Sequence, residues 1–132
     1  MKDFGEETRV ERRVALCCRE AGLRAALTTV LRSEGCAVAD CGSDPGAVDD
    51  LAESAPDLIV IEAQSREAAG FELCQTLRAA SGLADAKLLV LLDSGRSIAR
   101  RRAEALGANA VLSLPMRMAA FQAEVDRLLD RV

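Results

Sequence analysis

The sequence predicts a three-layer α/β/α domain built on a doubly wound, five-stranded parallel sheet. Three observations point there. Short apolar runs alternate five times with segments of helical periodicity, the pattern of strand–crossover–strand units. The runs are continuous rather than alternating, so both faces of each strand are covered by helices. The length, 132 residues with half of them apolar, suits one domain and a core that needs no staples.

Residues 1–12 are charged and polar, and read as an N-terminal extension to a domain spanning 13–132. Val14–Cys18 is the first strand by its length and flanks. In Ala21–Glu34, Leu23, Ala26, Leu27, Val30 and Leu31 fall at helical spacing, and Gly35 ends the helix. Cys36–Cys41 is a weaker strand. Gly42-Ser43-Asp44-Pro45 follows, where Ser43 or Asp44 caps a helix with Pro45 in its first turn and Val48, Leu51 and Ala52 on its inner face. Pro56-Asp57 opens the strongest strand, Leu58–Ile61, with Glu62 at its C-terminal edge. A loop, Ala63–Gly70, precedes a helix carrying Phe71, Cys74 and Leu77. Leu88–Leu92 is the fourth strand, Ser97–Leu106 the next helix, and Ala110–Leu114 a fifth strand stopped by Pro115. Phe121, Val125, Leu128, Leu129 and Val132 mark the last helix.

Composition excludes several chemistries. With no histidine, a Ser-His-Asp or Cys-His nucleophile and every His-ligated metal or haem are ruled out. Three phenylalanines are the only aromatics, a poor supply of stacking surface for flavin or single-stranded nucleic acid. The net charge of −4 gives no overall attraction to nucleic acid or an anionic membrane. No apolar run reaches 18 residues, and the N-terminus lacks the apolar core of a signal peptide. A cytoplasmic location follows as the expectation. The five cysteines lack scaffold spacing, so in that compartment they are expected to be free thiols.

Sites in doubly wound sheets form beyond the C-terminal ends of the strands, here Cys18 to Glu20, Glu62, Leu92 with Asp93, and Leu114. Around them the chain resembles the receiver domain of response regulators, the CheY-like family, over about residues 13–132. The likeness is carried by Pro56-Asp57-Leu58, by Gly70-Phe71-Glu72-Leu73-Cys74 with Leu77-Arg78, and by Gly107-Ala108-Asn109-Ala110 leading to Leu114-Pro115. It implies a flavodoxin-like strand order 2-1-3-4-5, a cis Leu114-Pro115 bond, and a role in two-component phosphorelay signalling.

The family's chemistry is phosphoryl transfer from a kinase histidine to an aspartate on the third strand. It uses an acidic pair that holds Mg²⁺, a hydroxyl after strand four and a lysine before the strand-five proline. Residue by residue, the resemblance places the acidic pair on Cys18 and Arg19, with Glu20 next. The acceptor falls on Glu62, the hydroxyl on Leu92, the lysine on Leu114 and the switching aromatic on Val111. Mg²⁺ demands hard oxygen ligands in octahedral geometry, which a thiol and a guanidinium do not supply. The expectation is a pseudo-receiver: a non-enzymatic signalling module with no cofactor or metal. Arg19 and Glu62 are expected to form an ion pair in the former site, with Leu92 and Leu114 closing it.

Two other functions compete: a phospho-accepting or metal-binding receiver using Glu20, Glu62 or Asp93, and a thiol redox sensor at Cys18, with Cys41 ending the neighbouring strand and Arg19 lowering the thiol's pKa. Cys18 to Arg24 also spells C-x₅-R, as in Cys-dependent phosphatases, but Glu20 would repel phosphate and periodicity puts Arg24 on the exposed face. Cobalamin, flavin and dinucleotide sites fail for want of a histidine, a hydroxyl-rich loop and G-x-G-x-x-G respectively. Arg96, Arg100, Arg101 and Arg102 cluster around the fourth helix. In receivers the fourth helix, fifth strand and fifth helix meet protein partners or a second copy. The expected partners are therefore proteins, a signalling kinase or an output domain among them, and neither nucleic acid nor membrane.

Overall fold

The computed structural model describes residues 11–42 and 47–130. Within them β1 (Arg13–Cys17), β2 (Ala37–Asp40), β3 (Leu58–Ala63), β4 (Lys87–Leu92) and β5 (Ala110–Ser113) alternate with five helices. These are α1 (Ala21–Ser33), α2 (Ala47–Ser54), α3 (Ala69–Ala79), α4 (Ser97–Ala105) and α5 (Met118–Leu128). Every ladder is parallel and the strand order is β2-β1-β3-β4-β5. The expected cap at Ser43 or Asp44, Pro45, most of the N-terminal extension and Val132 lie outside the described residues. No helix among those described is long and apolar enough to cross a membrane.

Strand alternation sorts the core into two layers. Ala15, Cys17, Ile59, Ile61, Leu88 and Val90 face α2, α3 and α4, through Leu51, Phe71, Leu77 and Ala103. Val14, Leu16, Leu58, Val60, Leu89 and Leu91 face α1 and α5, through Leu27, Leu31, Phe121 and Val125. Successive residues serve opposite layers, so the runs must be apolar without a break. Phe71 and Phe121 are the largest fully buried side chains, one in each layer. Fully burying such a side chain is worth about 1.5–3 kcal/mol.

The framework motifs have structural reasons. Asp57 accepts the Arg13 N–H on Oδ2 (2.9 Å), while its own N–H bonds Arg13 O and its carbonyl accepts from Lys87. One residue thus ties the starts of β1, β3 and β4, and β1 begins at Arg13 rather than Val14. Arg78 donates to the carbonyls of Ala84, Ala86 and Gly107 and to Asn109 Oδ1, which also accepts the Leu88 N–H. This knot fixes α3 against the turn into β5. Gly107 within it has φ +107, the left-handed region that glycine tolerates.

Several element ends differ from the sequence expectation: β2 spans Ala37–Asp40 rather than Cys36–Cys41, and β4 begins at Lys87 rather than Leu88. β1 stops at Cys17 rather than Cys18, and beyond it the N–H groups of Arg19 and Glu20 bond a side chain, as described below. β3 continues through Glu62 and Ala63, which pair with Leu91 and Leu92. β5 ends at Ser113, although the Leu114 N–H still reaches Leu92 O at 2.6 Å. The Leu114-Pro115 peptide is cis.

Candidate functional site

Four strands deliver their C-terminal ends to one edge of the sheet. Glu62, half-buried near the end of β3, reaches the β1–α1 loop, where its Oε1 accepts the N–H of Arg19 (2.7 Å) and of Glu20 (3.1 Å). Glu20 is the N-cap of α1, its carboxylate accepting from Leu23 N (2.6 Å) and Gly22 N (3.2 Å). Asp93, just past β4, accepts the Ser65 N–H at 2.8 Å. Each acid at this edge holds a different stretch of backbone. Among the described residues, no three Asp, Glu or Cys side chains converge as a group that could hold a metal ion.

The expected ion pair takes another form. Arg19 meets Glu62 through its backbone N–H, while its guanidinium crosses to Glu67 Oε1 at 2.6 Å. A carboxylate is satisfied by the nearest donors, and the peptide N–H groups of the loop are nearer and already oriented. Both side chains of the Arg19–Glu67 pair are about half exposed (51% and 47%), so it is worth only ~0–1 kcal/mol.

Cys18 is 1% exposed and follows β1 directly. Burial pushes its thiol up to about 12, the Glu62 carboxylate adds to the rise, and Arg24 opposes it. The lowering expected from Arg19 is not what this thiol experiences. Cys41 packs against the layer that contains Cys17, opposite the layer that contains Cys18. The cysteines that end neighbouring strands are therefore divided by the sheet, and all five are free thiols. Arg24 is half-buried rather than exposed: it donates to Cys18 O (2.9 Å) and pairs with Asp40 (3.0 Å). It braces the end of β1 against β2, and the C-x₅-R spacing forms no phosphate cradle.

Leu92 is fully buried in the layer under α2, α3 and α4. Leu114 is half-buried and packs on the other layer. Their backbones touch, but they join different cores rather than filling one shared void. Val111 is buried on β5, and its carbonyl accepts Arg100 Nη1 at 3.0 Å.

That bond splits the arginine cluster. Arg100 turns inward to β5, whereas Arg101 is exposed. Arg96 and Arg102 line a pocket of about 420 Å³ together with Arg66. Arg66 lies in a loop without hydrophobic pattern, thirty residues before Arg96, and no sequence signal singled it out.

The model of the response regulator receiver domain matches residues 19–126, most of the chain. The chain belongs to that family. Receivers of this family are signal-transduction domains that interact with kinases and output domains in two-component systems. Solved structures agree on the fold of this receiver. The chemotaxis protein CheY4 of Vibrio cholerae is 19% identical, with TM-score 0.81 over 91% of this chain and 100% of that one. A response regulator protein from Burkholderia multivorans is 26% identical, with TM-score 0.72 over 90% and 95%. The receiver domain of a Pseudomonas aeruginosa sensor histidine kinase, which has magnesium coordinated in its active site cleft, is 19% identical, with TM-score 0.77 over 92% and 99%. No curated protein matches the chain.

Proposed function

We propose that this receiver signals without being phosphorylated, as a non-enzymatic module that works through protein contacts. The observation that carries this is the Glu62 carboxylate, one oxygen of which is bound to two N–H groups of the β1–α1 loop. The carboxylate that stands at the acceptor position thus serves as a staple for the loop. The neighbouring positions support the same reading. The first of the acidic pair is a buried thiol and the second an arginine whose side chain is paired elsewhere. The hydroxyl position is a core leucine, and the lysine position a half-buried one. Mg²⁺ needs several hard oxygens in octahedral array, and these residues do not fit it.

Positioning and electrostatics supply nearly all the catalysis of phosphoryl transfer, so losing acid pair, hydroxyl and lysine together leaves little to accelerate it. The outer face of α4, β5 and α5, with exposed Arg101, is the surface proposed for a protein partner or a second copy. Titration with Mg²⁺ and beryllofluoride, followed by backbone amide shifts, tests this proposal. The expected result is no saturable shift at Arg19, Glu20 or Glu62, and no added mass after incubation with a small phosphodonor. Saturable shifts there, or a phosphorylated mass, would restore the competing site built on Glu20, Glu62 or Asp93. The redox alternative needs an ionisable thiol, and Cys18 has been pushed the other way.

A further inference from the structure

Beside this edge lies a pocket that the receiver's phosphorylation chemistry does not use. It opens between the β3–α3 loop and the start of α4, with a volume of about 420 Å³. Three arginines line it: Arg66 from the loop, Arg96 from the N-cap of α4 and Arg102 from its last turn. Ser65, Ser97 and Ile98 complete the rim, and no carboxylate is among the lining residues. The ion pairs among the described residues are Arg19–Glu67, Arg24–Asp40 and Arg127–Glu124, so none neutralises these three arginines. Two acids in the flanking loops have partners outside the three arginines: Glu67 pairs with Arg19, and Asp93 accepts the Ser65 N–H.

Three like charges around one concavity raise its potential and attract an anion. One of the three side chains is also held in place. The Arg102 guanidinium lies 4.2 Å from the centroid of Phe71, a ring that is itself 1% exposed, which fixes its place. No side chain caps the first N–H groups of α4, which adds partial positive charge on the same side.

We infer that this pocket binds a phosphorylated small molecule of nucleotide size. A lone carboxylate satisfies one guanidinium fork, whereas three arginines around one pocket suit the many oxygens of an oligophosphate. The volume exceeds what a phosphate alone needs and falls within the range of about 300–1,000 Å³ typical of organic ligands. Ile98, 80% exposed on the rim, offers apolar surface to the uncharged part of such a ligand. Binding here would give a receiver an input through α4 that is independent of whether Glu62 accepts phosphate.

The test uses pyrophosphate and ADP without metal, followed by calorimetry and backbone amide shifts. Saturable shifts are expected at Ser65, Arg66, Ser97 and Ile98 and none at Arg19 or Glu20. Arg66→Ala and Arg102→Ala should each weaken binding about tenfold or more, while Arg101→Ala, outside the pocket, leaves it within about twofold. Arg66 is an exposed loop residue, so its variant separates binding from folding if Arg102→Ala destabilises the chain. Four outcomes overturn the inference. They are no saturation at millimolar ligand, equal loss in Arg101→Ala, tighter binding of a hexaglutamate peptide than of either phosphate compound, and shifts confined to Arg19 and Glu20. The last would place the anion at Glu62 instead, and so count against the proposed function as well.

Discussion

Glu62 and Arg19 show how two neighbouring charges divide their work. The carboxylate bonds backbone, so removing it leaves two N–H groups of a tight loop without their acceptor. The guanidinium bonds an exposed partner across water-accessible space. Arg19→Ala should therefore change stability by about 0–1 kcal/mol, whereas Glu62→Ala should cost more, about 1–2 kcal/mol. Urea denaturation of the two variants checks this, and equal losses would mean that the guanidinium holds Glu62 after all. Sequence spacing put both residues at one edge of the sheet. It could not say whether main chain or side chain makes the contact, because that depends on a few ångströms of loop path.

Helix α3 passes close to β3 in its first turn, and Gly70 is the residue that permits it. A Cβ on Gly70 would lie 2.6 Å from the Ala63 Cβ and 2.8 Å from its Cα, and backbone cannot yield as a flexible side chain can. Gly70→Ala should cost about 1–3 kcal/mol through overpacking. Gly95→Ala is the control, since its Cβ would meet only Ser113 Oγ at an ordinary 3.5 Å, and should stay within about 0.5 kcal/mol. Both are read from chemical denaturation midpoints, and a Gly95 variant as costly as the Gly70 one would refute the close-approach explanation. The Gly70-Phe71 motif was legible in the sequence as a family mark, but its cause was not. The same holds for Leu77-Arg78 and Asn109, whose knot joins residues 29 and 31 positions apart.

Across the whole molecule, the cysteines act as core residues, and this has a pH signature. Burial raises the thiols of Cys17, Cys18 and Cys74 above the ordinary value of 9.0, to about 12 for Cys18 and about 11 for Cys74. The unfolded chain loses these protons first. Their contribution to stability is thus complete below about pH 9 and is lost as pH rises towards the folded values. Each thiol adds a slope of up to about 1.4 kcal/mol per pH unit in that window. With no tyrosine and two lysines, few other side chains titrate there. Denaturation at pH 8 and pH 10 should show the fall, and Cys74→Ala should make it shallower by one thiol's share. A flat profile would mean that the thiols are not desolvated.

The fold class, with a core on both faces of the sheet, and the marks of the family were readable in the linear chain. The strand order came only as what the family resemblance implies. Periodicity and motif spacing are local properties, and a sheet covered on both faces leaves few ways to satisfy them. The partners of the long charged side chains were decided only by the tertiary structure. Arg24 turned from the expected solvent face to Asp40, Arg19 went to Glu67, and Arg100 went to the Val111 carbonyl. Arg66 joined Arg96 and Arg102 around a pocket. Each of these side chains is flexible enough to reach several places, and periodicity names only the face from which it starts. Which acceptor lies within hydrogen-bond distance depends on how separate loops meet at the end of the sheet, and that geometry exists only in the folded chain.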